Sequence, residues 1–277
     1  MILAIETATS ACSAAVLAAD GALVAHRLED KGPAHTRRLL PFVHEVLEEA
    51  AVGLRDLDAI VCGLGPGAYT GIRIGVATAR ALAQAAGLRL GGVPTLAAVA
   101  LALAEGERRG TSEGGGASAG APAAGPQATG PQPARPQLPA PPLVALLDGK
   151  RHEVFAQVFR ATSFAGDSRP GGAVTLEQLS ALTVVAADDL GAFLGRWPGA
   201  VAGGDGARLY ADLLPPGVST TAEAAPPTAA MVGRAWLARV PGAAEGMAAV
   251  LPIYGRAPDA TRWQDGGRGS GASGGGT

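Results

Sequence analysis

Residues 61–82 read VCGLGPGAYTGIRIGVATARAL. The apolar run at 58–62 predicts a strand, and it ends in a glycine–proline–glycine loop. Gly65, Gly67 and Gly71 let the backbone turn sharply and approach a neighbouring surface closely. With Tyr69 and Thr70 they form a structural loop that opens a helix over residues 71–86, built from glycine, alanine and small β-branched residues. Gly87 is its C-terminal stop. A helix start placed after such a loop presents unpaired N–H groups and a partial positive charge, the general design of an anion cradle. The same thin helix also lets a second helix pack against it closely. The sequence leaves both uses open at this point.

Working outward, residues 88–93 return as a strand and 95–104 form a third helix. On the other side, residues 36–51 carry a helical stripe at Leu39, Val43, Val46, Leu47 and Ala50, with Glu45, Glu48 and Glu49 on the wet side. Pro41 fits that helix only if it lies in the first turn. Residues 1–6, 11–19 and 22–28 read as strands, the last two joined at the turn signal Asp20-Gly21. Residues 106–142 are mostly Gly, Ala, Ser, Pro and Gln, which cannot bury enough surface to offset their ordering entropy. They are expected to be a disordered insertion, and residues 264–277 a flexible tail of the same character.

After the insertion the opening pattern repeats. Residues 143–147 are an apolar strand, Asp148-Gly149 begins a turn, and 152–159 alternate back out, which puts Glu153, Gln157 and Arg160 at wet positions. Residues 169–172 read as a loop, 188–197 and 228–240 as helices, and 199–206 as a strand entering a GGDG turn. Alternating strands and helices predict an α/β fold. Two related lobes follow, over residues 1–105 and 143–263.

The 277 residues are 48% hydrophobic and 17% charged, as in a globular protein with a sizeable core. A net charge of −2 gives no sign of the basic face that a lone nucleic-acid binder needs, so an RNA substrate would be held mostly by a partner. Cys12 and Cys62 sit in apolar strands and read as small hydrophobes. The first strand starts at once and no apolar run is long enough to span a bilayer, so a cytoplasmic location and no membrane partner are expected.

AIETATSACSAAVL at 4–17, HTRRLLPFVHEVL at 35–47, GLGPGAYTGIRIGVATARALA at 63–83 and GVPTLAAVA at 92–100 together resemble the bacterial TsaB (YeaZ) family. LLDGKRHEVFAQVF at 146–159, GGDGA at 203–207 and PIYGR at 252–256 continue the match. The resemblance implies a tandem actin-like, ribonuclease-H-like fold of the sugar-kinase and actin class. It implies a part in making threonylcarbamoyladenosine in tRNA, as non-catalytic partner of the related catalytic subunit TsaD. The ATPase TsaE is expected to join them, tRNA to be met only through the complex, and a homodimer to form in isolation. The first two helices would supply the contact surface, with Leu39, Val43, Leu47, Arg73, Ala77, Arg80 and Ala81 as candidates. Arg73 and Arg80, seven apart, would ring that patch or pair with Glu45, Glu48 or Glu49.

The residues themselves bear on whether the chain reacts alone. The catalytic relative carries an HxxxH pair on the helix after its glycine-rich unit, and one helical turn lets both histidines hold one metal. At the matching place this chain has Thr95-Leu96-Ala97-Ala98-Val99. Its histidines, His26, His35, His44 and His152, contain no pair at that spacing, so no metal site is expected. Neither Ser10 nor Ser13 has a histidine nearby in sequence to make it a nucleophile. Actin-like ATPases place an acidic residue and a Gly-Thr turn after a strand. Here Glu6, Thr7, Thr9 and Ser10 are present, but Ala8 stands where glycine would admit a phosphate. Gly204 and Asp205 fit an adenosine pocket or a strand-to-helix turn in which Asp205 caps the next helix. Lys150 reads as an exposed lysine of a hairpin turn rather than a phosphate ligand. These residues outline a degenerate nucleotide site. No catalytic residue and no cofactor of its own are expected, with ATP bound weakly or at the partner complex. The alternatives are an ATP-dependent kinase of the actin-like class or a metallopeptidase-like glycoprotease relative.

Overall fold

The central strands are buried at every position, because each sheet is covered on both faces, and successive residues face opposite layers. In β1 (Ile2–Glu6), Ile2 and Ala4 face one apolar layer while Leu3 and Ile5 face another. The computed structural model describes residues 1–30, 35–113, 140–163, 174–220 and 226–256. β1 pairs antiparallel with β2 (Cys12–Leu17), which pairs with β3 (Leu23–Glu29). After α1 (His35–Glu49), β4 (Ala59–Gly63) runs parallel to β1. α2 (Tyr69–Ala86) leads to β5 (Arg89–Val93), parallel to β4, and then to α3 (Thr95–Glu113).

The second lobe repeats the plan. β6 (Pro142–Lys150) pairs antiparallel with β7 (Glu153–Ser163), which pairs with β8 (Val174–Gln178) and β9 (Thr183–Ala186). α4 (Leu190–Leu194) precedes β10 (Val201–Gly203), parallel to β6. α5 (Asp205–Leu209) and β11 (Ser219–Thr220) follow, then α6 (Ala229–Leu237) and β12 (Ala244–Glu245). The sheet orders are β12-β5-β4-β1-β2-β3 and β11-β10-β6-β7-β8. Both contain a meander of three antiparallel strands continued by parallel strands beside the first. This is the tandem actin-like, ribonuclease-H-like architecture.

The layers run α1 and α2, first sheet, α3 and α6, second sheet, α4 and α5. The first half of α3 lies between the two sheets, which explains the all-round apolar sequence at 96–104: Leu96, Ala97, Ala98, Val99 and Leu103 are all buried.

Several expectations change. The lobes are not consecutive in sequence. α6 packs on β1, β2 and β4, and β12 extends the first sheet beside β5, so the C-terminal end of the 143–263 segment belongs to the first lobe. Ser13 Oγ accepts the Ala229 N–H at 2.8 Å and so satisfies a buried donor at the start of α6. α3 continues to Glu113, inside the expected insertion, and β6 begins at its last residue. Residues 114–139, the tail and the 169–172 loop lie outside the described residues. Pro41 is the seventh residue of α1 and not in its first turn. The carbonyl it leaves without a helical partner belongs to Arg37, on the exposed side where water reaches it. The β6–β7 turn falls at Arg151-His152, after Asp148-Gly149. Gln157 is buried rather than wet, because it shares an inward face with Phe155 and Phe159, and its Nε2 donates to the Ser180 carbonyl at 3.4 Å. The helix expected over 188–197 contracts to α4.

Candidate functional site

The Gly-Pro-Gly loop makes its close approach to its own chain. A Cβ on Gly67 would stand 2.0 Å from the Ala8 carbonyl oxygen, and Ala68 N–H donates to that oxygen at 2.6 Å. A Cβ on Gly75 would meet Thr7 Oγ1 at 2.3 Å, and Thr7 Oγ1 donates to the Gly71 carbonyl at 2.8 Å. The start of α2 is therefore seated on the turn that follows β1. Of the two uses left open by the sequence, the close approach that glycine permits is taken up by the chain's own turn at Thr7 and Ala8.

Glu6 ends β1, fully buried. Its Oε1 accepts the Ala8 N–H at 2.5 Å and its Oε2 accepts the Thr95 hydroxyl at 3.0 Å. Thr95 Oγ1 in turn accepts the Gly65 N–H at 3.2 Å, and Thr95 N–H donates to the Gly65 carbonyl at 2.8 Å. Gly63 leaves room for the carboxylate, since a Cβ there would lie 2.1 Å from Oε2. Burial pushes the Glu6 carboxyl up to about 7, against the Ala8 and Thr95 hydrogen bonds that hold it down, and the Asp205 charge adds to the rise.

The second lobe offers the matching place. Gly204 and Gly206 press on the middle of β6, where a Cβ on Gly204 would lie 2.2 Å from the Leu146 carbonyl oxygen. Asp205 does not serve as the N-cap of α5, a position held by Gly204. Its Oδ1 instead accepts the Asp148 N–H across the lobe at 3.0 Å. Burial pushes Asp205 up to about 6, the Asp148 N–H opposes the rise, and the Asp148 charge adds to it. Lys150 pairs with Asp148 at 2.5 Å and stays exposed, as the hairpin reading expects. The Asp205 charge of the second lobe is thus felt at Glu6 in the first, as the smallest of the influences on that carboxyl.

Thr7 and Thr9 are buried and Ser10 is exposed, and Thr9 Oγ1 accepts the Ala11 N–H at 3.2 Å within the turn. Burial pushes both thiols up, Cys12 to about 11, which removes them as nucleophiles near neutral pH. Among the described residues no group of three or more His, Cys, Asp or Glu side chains is placed to hold a metal ion. No helix among them is long and apolar enough to cross a membrane.

The candidate contact residues separate into two sets. Arg73, Ala77 and Ala81 lie exposed in a line along α2. Leu39 and Val43 are buried in the core beneath α1, with Leu47 packed against it. A helical apolar stripe marks the face turned to the sheet, so the outward residues of α1 are Leu40, 56% exposed, with Pro41, His44 and Glu48. Neither arginine is placed on the α1 glutamates: Arg27 of β3 takes Glu45 and Glu49, at 2.8 and 2.6 Å, and Glu48 lies 3.4 Å from His44. Arg80 donates to the carbonyls of Met247 and Val250, and Arg73 Nε donates to the Tyr254 hydroxyl at 2.9 Å. Residue-level reading missed Thr95 as a ligand of Glu6, and it gave Tyr254 and Arg256 no role. Their only signal was membership of the GVPTLAAVA and PIYGR blocks.

A sequence model of the family described as TsaD: tRNA N6-adenosine threonylcarbamoyltransferase matches residues 29–110. The tRNA threonylcarbamoyladenosine biosynthesis protein TsaB of Escherichia coli (strain K12) is 46% identical over 99 residues, 36% of this chain and 42% of that protein. The protein of the same name from Haemophilus influenzae is 38% identical over 104 residues, 38% of this chain and 43% of that one. The chain thus matches about two fifths of the length of these curated relatives. The solved structure of YeaZ from Pseudomonas aeruginosa superposes with a TM-score of 0.60 at 26% identity, covering 91% of this chain and 98% of that one.

Proposed function

This chain belongs to the TsaB (YeaZ) family, and from that premise we propose that it serves tRNA threonylcarbamoyladenosine biosynthesis as a non-catalytic subunit that docks on and organises TsaD. The observation that carries the reading is the sealed turn after β1. Its carboxylate, its threonine hydroxyls and the Ala8 amide and carbonyl are bonded to one another or to the Gly65–Gly71 loop. A phosphate would have to displace protein–protein hydrogen bonds and backbone packing to enter. The first two turns of the helix that carries HxxxH in the catalytic relative, residues 95–101, are here buried on every side, with no ligand side chain at 95–99.

The docking surface in this reading is the exposed side of α1 and α2: Leu40, His44 and Glu48 with Arg73, Ala77 and Ala81. Alanines in line let a partner helix approach closely, and a stable interface needs on the order of 1,600 Å² in total. The same surface would make the homodimer when TsaD is absent. TsaE and tRNA join through the complex, ATP is bound at most weakly by this chain alone, and the assembly works in the cytoplasm.

The test is reconstitution of tRNA modification with TsaD and TsaE, with and without this chain. The modified nucleoside should form only when the chain is present. Ala77→Arg should abolish co-purification with TsaD and the product together. Full product formation without the chain would overturn the proposal, as would tight magnesium–ATP binding with turnover by the chain alone.

A further inference from the structure

The PIYGR segment, residues 252–256, touches both lobes within five residues. Ile253 N–H donates to the Leu64 carbonyl at 2.7 Å, fixing the segment beside the Gly-Pro-Gly loop. Tyr254 stacks on Tyr69, with ring centroids 4.9 Å apart. Arg73 lies 4.0 Å over the Tyr69 ring while its Nε holds the Tyr254 hydroxyl. The chain then bends at Gly255, packed so tightly on Phe155 of β7 that a Cβ would stand 2.2 Å from the ring. Beyond the bend, Arg256 enters the second lobe. Its Nη2 donates to the Gly149 carbonyl at 2.7 Å, contacts the Glu153 carboxylate, and lies 3.4 Å from the Lys150 carbonyl.

The turn that Arg256 reaches is under backbone strain. Lys150, Arg151 and His152 are consecutive non-glycine residues with φ of 60, 55 and 62°. Each left-handed residue costs about 1–2 kcal/mol, so such a turn persists only when its surroundings hold it. A guanidinium on two of its carbonyls and on the adjoining carboxylate is one such brace.

We propose that PIYGR is an interlobe clasp, through which the exposed Tyr69–Arg73–Tyr254 cluster on α2 is coupled to the β6–β7 turn of the second lobe. Only Gly255 separates Tyr254 from Arg256, and it is wedged on Phe155, so one side chain cannot leave its seat without dragging the other. The two states are clasped, with the turn braced, and released, with Tyr254 and Arg256 both free. A partner that binds the tyrosine pair more tightly in one state than in the other shifts the balance toward that state and is felt at the turn. The inference does not depend on docking to TsaD, and its test uses the isolated full chain.

Hydrogen exchange of the intact protein reads the clasp. Arg256→Ala should speed exchange of the amides at 149–153 by about tenfold or more. Tyr254→Ala, whose side chain lies in the other lobe, should do nearly the same, and Tyr254→Phe, which keeps the ring but loses the Arg73 bond, should give a smaller rise. Amides of β1 and β2 should exchange as in the parent protein in all three variants. The proposal is overturned if Arg256→Ala alone quickens the turn, because the brace then acts without the tyrosine. It is equally overturned if no variant does, or if exchange quickens evenly through β1, β2 and β7.

Discussion

The two lobes each press a glycine turn on the backbone of their first hairpin, just past β1 in the first lobe and midway along β6 in the second, and finish the contact differently. In the first lobe Gly67 presses on Ala8 and the carboxylate comes from the strand end, Glu6, where Ala8 and Thr95 satisfy it. In the second lobe Gly204 presses on Leu146, and the carboxylate comes from the glycine turn, Asp205, reaching back to Asp148 N–H. The first turn is closed by an 18-residue helix lying over it, whereas the second has only the five-residue α5. The second also leaves Lys150 and His152 exposed on strained backbone. One topology therefore holds a sealed turn and an open one. Sealing follows from how much structure sits on the glycine loop, and not from whether glycine is present.

The largest expected effect is on the seal. Gly67→Ala places a methyl carbon 2.0 Å from a backbone oxygen, a clash that only main-chain movement relieves. Loss of stability on the order of 3–5 kcal/mol is expected, a fall in Tm of roughly 10 °C, measured by thermal denaturation. Gly217→Ala supplies the comparison. Gly217 has φ 92° with nothing within 4 Å of a new Cβ, so only the left-handed penalty of about 1 kcal/mol applies. Equal effects from the two substitutions would break the picture of a sealed first turn.

The next effect tests the buried carboxylates. Glu6 is raised from 4.5 to about 7, so between those values the folded protein holds a proton that the unfolded chain has released. Stability from this group therefore falls as pH rises through that window and is level above it, a change on the order of 3 kcal/mol. Asp205 acts with the same sign over a lower window, from 3.8 to about 6. Glu6→Gln cannot ionise, but gives up the acceptor for the Thr95 hydroxyl. Urea titrations should find it less stable than the parent by about 1 kcal/mol at pH 5 and more stable by about 2 at pH 8. A difference that stays constant across that range would mean that Glu6 is not held in the dry network.

Much of this was legible in the sequence. The strand–loop–helix unit, the two hairpins and the stop at Gly87, whose φ is 68°, all follow from local patterns, and the structure keeps them. The return of α6 and β12 to the first lobe was not legible, because the bond that anchors it joins Ser13 to Ala229, 216 residues apart. The face of α1 turned outward was misread for another reason. Apolar periodicity finds the buried side, so it selected Leu39 and Val43 and passed over the exposed Leu40. The roles of Arg73 and Arg80 depended on residues 247–254, whose path no local pattern encodes.

The smallest effect concerns the open turn. Arg151 has φ 55°, between two other left-handed residues. Arg151→Gly removes a penalty of about 1–2 kcal/mol and adds unfolded-state entropy worth about 0.5–1 kcal/mol in the opposite direction. On backbone terms alone a net gain of roughly 0.5 kcal/mol, one or two degrees in Tm, is expected from thermal denaturation, and the interaction that the Arg151 side chain makes subtracts from it. The sign matters more than the size. A gain means that backbone strain dominates at this position, as an open turn requires. A loss above about 1 kcal/mol would mean that the Arg151 side chain braces the turn through contacts of its own. The second lobe would then be closed by side chains where the first is closed by a helix, and the contrast between sealed and open would become one between two kinds of seal.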